Sequence, residues 1–174
     1  LCTGPDSRPN SLFSLFTKAG CVCESFDVIN GPLFDLTDDA TWDPLVARVR
    51  SRDFAAVFAS PPCTTCSKLR NIPGGPPPLR GIAGVSRYGL PNLSIQNKEL
   101  VRKHNIIFVR VAQVLQIMVQ LHCPWIFENP AQIANEVSVL NLDEYRTLLN
   151  LTGVQHTIGV QCTFGAASSK PTSW

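Results

Sequence analysis

The sequence predicts one α/β domain, a mainly parallel sheet with helices on both faces. Three observations predict it. Helix-like and strand-like patterns alternate along the 174 residues, the order from which parallel sheets with crossover helices are built. Phe54–Ser60 (FAAVFAS) is a continuous apolar run of the kind a buried strand needs. Residues able to carry chemistry fall just after the strand-like runs, where open parallel sheets bind ligands.

Taken in order, Leu1–Gly4 reads as the end of a strand entering a loop. Residues 10–19 (NSLFSLFTKA) have apolar side chains at 12, 13, 15, 16 and 19, a helical face closed by Gly20. Cys21–Asp27 reads as a strand. Thr41–Arg50 reads as a helix, with Asp39 or Thr41 as its cap and Pro44 in its first turn. Phe54–Ser60 stops at Pro61-Pro62. Residues 71–93 (NIPGGPPPLRGIAGVSRYGLPNL) are too rich in Pro, Gly and Arg for a regular element. A loop this long inside a compact domain is functional or mobile. Ile95–His122 reads as a long helix, Pro124–Glu128 as a short strand ending at Asn129-Pro130, Leu142–Leu149 as a short helix and Val154–Cys162 as a strand.

Composition removes several classes. With 44% hydrophobic and 16% charged residues, intrinsic disorder is not the expected main state, and collagen-like and coiled-coil chains are excluded. No apolar run approaches the ~20 residues of a bilayer-spanning helix. The longest, Ile106–Leu121, carries Arg110, Gln113, Gln116 and Gln120, so no membrane partner is expected. Charge is uneven. Residues 1–60 hold 5 Lys/Arg against 8 Asp/Glu, 61–110 hold 8 against 1, and 111–174 hold 2 against 4. A basic middle between acidic ends suits either a polyanion groove or a solvated face. The 7 cysteines are an odd number, and Cys21, Cys23 and Cys123 lie in apolar runs. Free thiols in a reducing, intracellular compartment are expected. The chain opens on Leu1 rather than Met and closes at Trp174, so truncation at both ends belongs to the expectation.

Two segments carry the chemistry. In Ser60-Pro61-Pro62-Cys63 a thiol directly follows a strand and is held by two prolines of fixed φ, a poised position for a nucleophile. Thr64-Thr65-Cys66-Ser67 then offers hydroxyls and backbone N–H groups to a thiolate. In Glu128-Asn129-Pro130 a carboxylate closes the apolar strand Trp125-Ile126-Phe127, where partial desolvation suits a group that shares or donates a proton.

Together these segments resemble the catalytic signatures of the cytosine-5 DNA methyltransferases, a Pro-Cys nucleophile and a Glu-Asn-Val/Pro strand end. Three more blocks resemble those of small, divergent phage and algal members. Gln161-Cys162-Thr163-Phe164-Gly165 with Lys170-Pro171-Thr172 is similar to their distal motif. Cys63, Ser67 and Arg70 fit Pro-Pro-Cys-x-x-x-Ser-x-x-Arg, and Gly75–Arg80 fits Gly-Pro-x-Pro-Leu-Arg.

The resemblance implies a Rossmann-like, S-adenosylmethionine-dependent methyltransferase fold acting on DNA. It implies Cys63 as the nucleophile that adds to carbon 6 of a flipped cytosine, Glu128 as the group that holds ring nitrogen 3 and the exocyclic amine, and Asn129 and Pro130 as residues that hold the Glu128 loop. It implies cofactor contacts at Thr3, Gly4, Ser60 and Pro61, at Asp27 on the ribose hydroxyls and at Asp35-Leu36 on adenine. Ser67, Arg70, Arg80, Arg87, Gln161 and Lys170 become the DNA contacts, and residues 71–93 a mobile loop that closes over DNA. No metal is implied. The compartment would be the nucleus in a eukaryote, or the cytoplasm in a phage or bacterial host.

Local readings stand beside these. Asp35 also suits a cap of the turn at Thr37–Asp39, and each loop arginine suits a solvated position. The Gln-x-Arg-x-Arg motif of standard members is missing from the sequence, with Arg70 or Lys170 as substitutes. Cys63-x-x-Cys66 has zinc-ligand spacing without a second pair. It also has thioredoxin-like redox spacing, but a Pro/Gly loop follows where a helix should open. Two further alternatives are a protein that kept the fold without methyl transfer, and an enzyme acting on RNA or another pyrimidine.

Overall fold

The structure, a computed structural model, describes residues 1–8, 11–131, 136–160 and 170–174. Its helices start where a side chain satisfies the first free amides. Helix α1 (Leu12–Lys18) starts at Ser11, whose Oγ accepts from Ser14 N at 3.0 Å. Helix α2 (Asp39–Arg50) starts at Asp38, whose carboxylate accepts from Ala40 N at 3.0 Å. Asp38 therefore takes the capping role expected of Asp39 or Thr41, and Pro44 falls in the second turn rather than the first. Helix α3 (Ile95–Gln120) starts at Ser94, whose Oγ accepts from Asn97 N at 3.3 Å. Helix α4 (Asp143–Leu149) begins after Leu142 without a side-chain cap.

The fold is mixed α/β, and its parallel sheet is small. Strands β1 (Val57–Ala59) and β2 (Trp125–Phe127) pair in parallel, with Val57 opposite Trp125 and Ala59 opposite Phe127. Leu1 runs along the other edge of β1. Leu1 N donates to Phe58 O at 2.6 Å and Ser60 N donates to Leu1 O at 3.0 Å, the staggered bonding of a parallel pair. Beyond Leu1, Cys2 N donates to Phe26 O at 2.9 Å. A second sheet is antiparallel. It comprises β3 (Asn129–Pro130), β4 (Ile158–Val160) and β5 (Pro171–Ser173), in the order β3-β5-β4.

Two strand expectations shrink. Cys21–Asp27 forms no regular strand, because the run lacks a partner along most of its length. Val22 is fully exposed, and only the Phe26 carbonyl joins the ladder. Of Val154–Cys162, only Ile158–Val160 is strand among the described residues, and 161–162 lie outside them.

Two apolar clusters share α3. Phe108, Val111, Ala112 and Leu115 pack with Ala59, Phe127, Leu140, Tyr145 and Leu148. Val114, Ile117 and Met118 pack with Leu36, Trp42, Leu45, Val46 and Val49 of the α2 region. Strand alternation turns Val57, Ala59, Trp125 and Phe127 toward these clusters and Phe58 and Ile126 away from them. Neither Phe58 nor Ile126 belongs to either cluster, and Ile126 is 50% exposed. Of the helices expected on both faces, α2, α3 and α4 thus bury their apolar residues on one, while α1 buries none. Among the described residues, no helix is long and apolar enough to cross a membrane.

Residues 71–93 form no α-helix or strand, only the 3-10 turn Gly84–Tyr88 and the end of another at Lys68–Asn71. They are nevertheless anchored. Leu79 and Arg80 are 1% and 3% exposed.

Candidate active site

Parallel pairing of Ala59 with Phe127 ends both strands at one level and sets Ser60-Pro61 beside Glu128-Asn129. Glu128 N donates to Ala59 O at 2.8 Å. Ser60 Oγ donates to Glu128 Oε2 at 2.6 Å. The other carboxylate oxygen, Oε1, is buried and accepts no hydrogen bond among the described residues. Its neighbouring cation is Lys170, with Nζ at 3.6 Å. Lys170 arrives there because β3 pairs with β5, placing Asn129 opposite Ser173 and Pro130 opposite Thr172. Asn129 is 2% exposed, and its Nδ2 donates to Pro61 O at 3.0 Å. That bond ties the Glu128 strand end to the Pro61-Pro62-Cys63 segment.

Cys63 is partly exposed and opens the 3-10 turn Thr64–Cys66, in which Cys66 N donates to Cys63 O at 2.9 Å. A buried polar network supports this turn. Arg80 Nε donates to Thr65 Oγ1 at 3.0 Å, and Thr65 Oγ1 lies 3.1 Å from His104 Nδ1. With Thr65 accepting from Arg80, its hydroxyl proton is free to go to a neutral His104. Arg80 Nη1 donates to Asn105 Oδ1 at 2.7 Å and to Arg87 O at 2.9 Å, and the guanidinium lies over the Phe108 ring. Burial dominates the electrostatics here. It pushes His104 down to about 4, helped by the charges of Arg80 and Arg70. It also raises the Cys66 thiol and lowers Arg80.

The expected cofactor residues divide. Thr3 and Gly4 form the first loop, where Gly4 holds φ +80°, a left-handed conformation suited to glycine. Gly4 N donates to Asp27 Oδ2 at 2.8 Å, and Asp27 Oδ1 accepts from Ile29 N at 3.1 Å. The loop and Asp27 are therefore joined, and the space a side chain at Gly4 would enter is open. Asp35 has its local role, accepting from Thr37 N and Oγ1, both at 2.8 Å. Leu36 is a core residue, 2% exposed, and its carbonyl accepts from Arg110 Nη1 at 2.7 Å. Leu36 offers its side chain to the core, while Asp35 is partly exposed and engages only its Oδ1 with Thr37. Ser60 directs its hydroxyl to Glu128, and Pro61 is buried against Asn129.

The arginines are turned inward. Arg70 donates to Thr64 O at 2.8 Å and Pro77 O at 3.0 Å. Arg87 donates to Asn141 O and Gly84 O and pairs with Asp143 at 2.9 Å. Arg80, 3% exposed, reaches no surface. As they stand, Arg80 and Arg87 hold the segment to α3 and to the start of α4 instead of facing outward as phosphate contacts. Ser67 Oγ caps the turn Lys68–Asn71 by accepting from Leu69 N at 3.3 Å. Gln161 lies outside the described residues.

Sequence reasoning missed Thr65, His104 and Asn105 as supports of the Cys63 turn. The available signal was His104 standing on the apolar stripe Val101, Phe108, Val111 and Leu115 of α3. Among the described residues, no group of three or more His, Cys, Asp or Glu side chains is placed to hold a metal ion. No protein-family model, curated protein or solved structure matches the chain.

Proposed function

We propose that this domain transfers a methyl group from S-adenosylmethionine to carbon 5 of cytosine in DNA through a covalent adduct on Cys63. The observation that carries the reading is the paired strand end. A carboxylate with one oxygen anchored by Ser60 and the other buried beside Lys170, accepting no hydrogen bond among the described residues, lies next to a segment leading to a partly exposed thiol. A buried carboxyl oxygen without a hydrogen bond is one that the polar edge of a base would satisfy. The parallel edge formed by the Phe26 region, Leu1, β1 and β2 supports a Rossmann-like order of strands.

In this reading Cys63 Sγ adds to carbon 6 of an extruded cytosine, and the electron density of the 5,6 bond moves to carbon 5. Glu128 delivers a proton from Oε1 to ring nitrogen 3, which carries no hydrogen in neutral cytosine, and faces the exocyclic amine, so the charge that the thiolate adds to the ring is balanced. Ser60 fixes the carboxylate plane, and Lys170 balances its charge. Bound S-adenosylmethionine supplies the sulfonium methyl group that carbon 5 accepts. The Thr3-Gly4 loop fits such a group, since it is open above Gly4 and held to Asp27. Solvent then takes the carbon-5 proton, the carbon–sulfur bond breaks to release the Cys63 thiolate, and nitrogen 3 returns its proton to Glu128.

Trapping tests the reading. Protein, cofactor and DNA containing 5-fluorocytosine should give a protein–DNA adduct that survives denaturation and disappears with Cys63→Ala. An adduct on RNA alone would move the substrate class. A second reading, a protein of this fold without methyl transfer, draws on the commitment of Asp35 to Thr37 and of both Asp27 oxygens to backbone N–H groups. It predicts neither an adduct nor calorimetric binding of the cofactor.

A further inference from the structure

The Cys63-x-x-Cys66 spacing has no part in the chemistry above, yet its geometry is specific. The Cys66 N–H bond to Cys63 O at 2.9 Å closes a turn whose end Cα atoms lie within about 7 Å. In a 3-10 turn side chains three residues apart eclipse one another, and that Cα separation overlaps the range a disulfide spans. The two thiols differ. Cys63 is partly exposed, whereas Cys66 is 6% exposed. Burial raises the Cys66 thiol and the charge of Arg80 opposes that rise, while Arg80 Nη2 is buried without a hydrogen-bond partner among the described residues.

We propose that Cys63 and Cys66 form a reversible disulfide, made by a hydroperoxide, that withdraws the nucleophile. The inference rests on Cys63 being the nucleophile proposed above. The Cys63 thiolate attacks a peroxide oxygen, the O–O bond breaks, and hydroxide leaves to give the sulfenic acid. The hydroxide released in that step takes the Cys66 proton, and Cys66 sulfur then attacks the sulfenic sulfur. The S–O bond breaks, hydroxide leaves, and the S–S bond forms. The two thiols lose two electrons and the peroxide gains them. Exposed or strained disulfides are the readily reduced ones, so an external thiol restores Cys63.

Peptide mass reads the bond directly. Trypsin cuts after Arg52 and Lys68 to release residues 53–68 (DFAAVFASPPCTTCSK), whose only cysteines are Cys63 and Cys66. After hydrogen peroxide and alkylation under denaturing conditions, this peptide should carry no alkyl group and weigh two hydrogens less than its reduced form. Dithiothreitol should restore both alkylation sites. With Cys66→Ala, Cys63 should instead proceed to sulfinic acid. The oxidised protein should give no adduct with 5-fluorocytosine DNA until it is reduced. A wild-type peptide with Cys63 over-oxidised and Cys66 still alkylated overturns the disulfide and leaves the methyl-transfer reading standing. A cross-linked protein that still forms the DNA adduct overturns both the switch and Cys63 as the nucleophile.

Discussion

Glu128 divides its work between two oxygens. Oε2 is fixed by Ser60, while Oε1 is buried 3.6 Å from Lys170 Nζ and accepts no hydrogen bond among the described residues. A hydrogen bond to a charged group contributes about 1.5–3 kcal/mol, and 1.36 kcal/mol is about tenfold in rate. Ser60→Ala should therefore slow adduct formation by about 10- to 100-fold and, because Oε2 loses its donor, also lower the thermal midpoint. A stopped time course on 5-fluorocytosine DNA measures it, and an unchanged rate would remove Ser60 from the site. The placement of Cys63 and Glu128 just beyond neighbouring strands is legible in the sequence, because apolar strand runs and the prolines that stop them are local signals. The Ser60 partner is not, since it lies 68 positions away. Asp35-Leu36 supports two readings from sequence. An Asp two residues before a Thr serves a turn as readily as a ligand, and only the burial of Leu36 distinguishes the two roles.

The Pro/Gly/Arg segment is the element whose role changed most. At Gly75 an added Cβ would stand 1.9 Å from the Leu69 carbonyl oxygen, so the glycine is required by close approach. Leu79 fills the interior and Arg80 bridges Thr65, Asn105 and Arg87. Arg80→Ala leaves those acceptors buried without a donor, at about 1–3 kcal/mol for an orphaned group. A loss of about 3 kcal/mol in denaturant unfolding is expected, and Arg80→Lys should not restore it because lysine lacks the planar fork. His104 adds a pH dependence. Its ordinary value is 6.5 and its folded value about 4, so between these the unfolded chain binds a proton that the folded chain refuses. Stability should fall as pH drops through that window, and His104→Gln should flatten the fall in urea titrations at pH 7 and pH 4.5. Equal slopes in both proteins would place the acid sensitivity elsewhere.

At the scale of the molecule, α3 is the shared wall of both apolar clusters. Leu115 is 0% exposed, and Leu→Ala at such sites costs about 2–5 kcal/mol. Leu115→Ala should lower stability by about that amount. Its unfolding should remain one transition by both tryptophan fluorescence and circular dichroism, because neither cluster is complete without α3. Split transitions would show that the clusters fold independently. The basic middle of the chain also acquires a structural meaning. Arg80 and Arg87 are turned inward, Arg110 reaches Leu36 O and Asp39, Arg102 pairs with Glu99 and Lys68 with Glu136, while Lys98 and Lys103 stay exposed on α3. Much of that charge excess holds the fold together.

The sequence alone determined the alternation of helices and strands, the long α3 and the two strand ends, because these depend on local periodicity and on residues whose chemistry is fixed by type. Tertiary structure decided which side chains meet. Ser60 and Lys170 reach Glu128 through strand pairings between distant segments. Arginines that read as surface contacts turn inward because Thr65, Asn105 and the Asn141 carbonyl are there to receive them. A charge is buried only where partners converge from elsewhere in the chain, and local sequence does not encode that convergence.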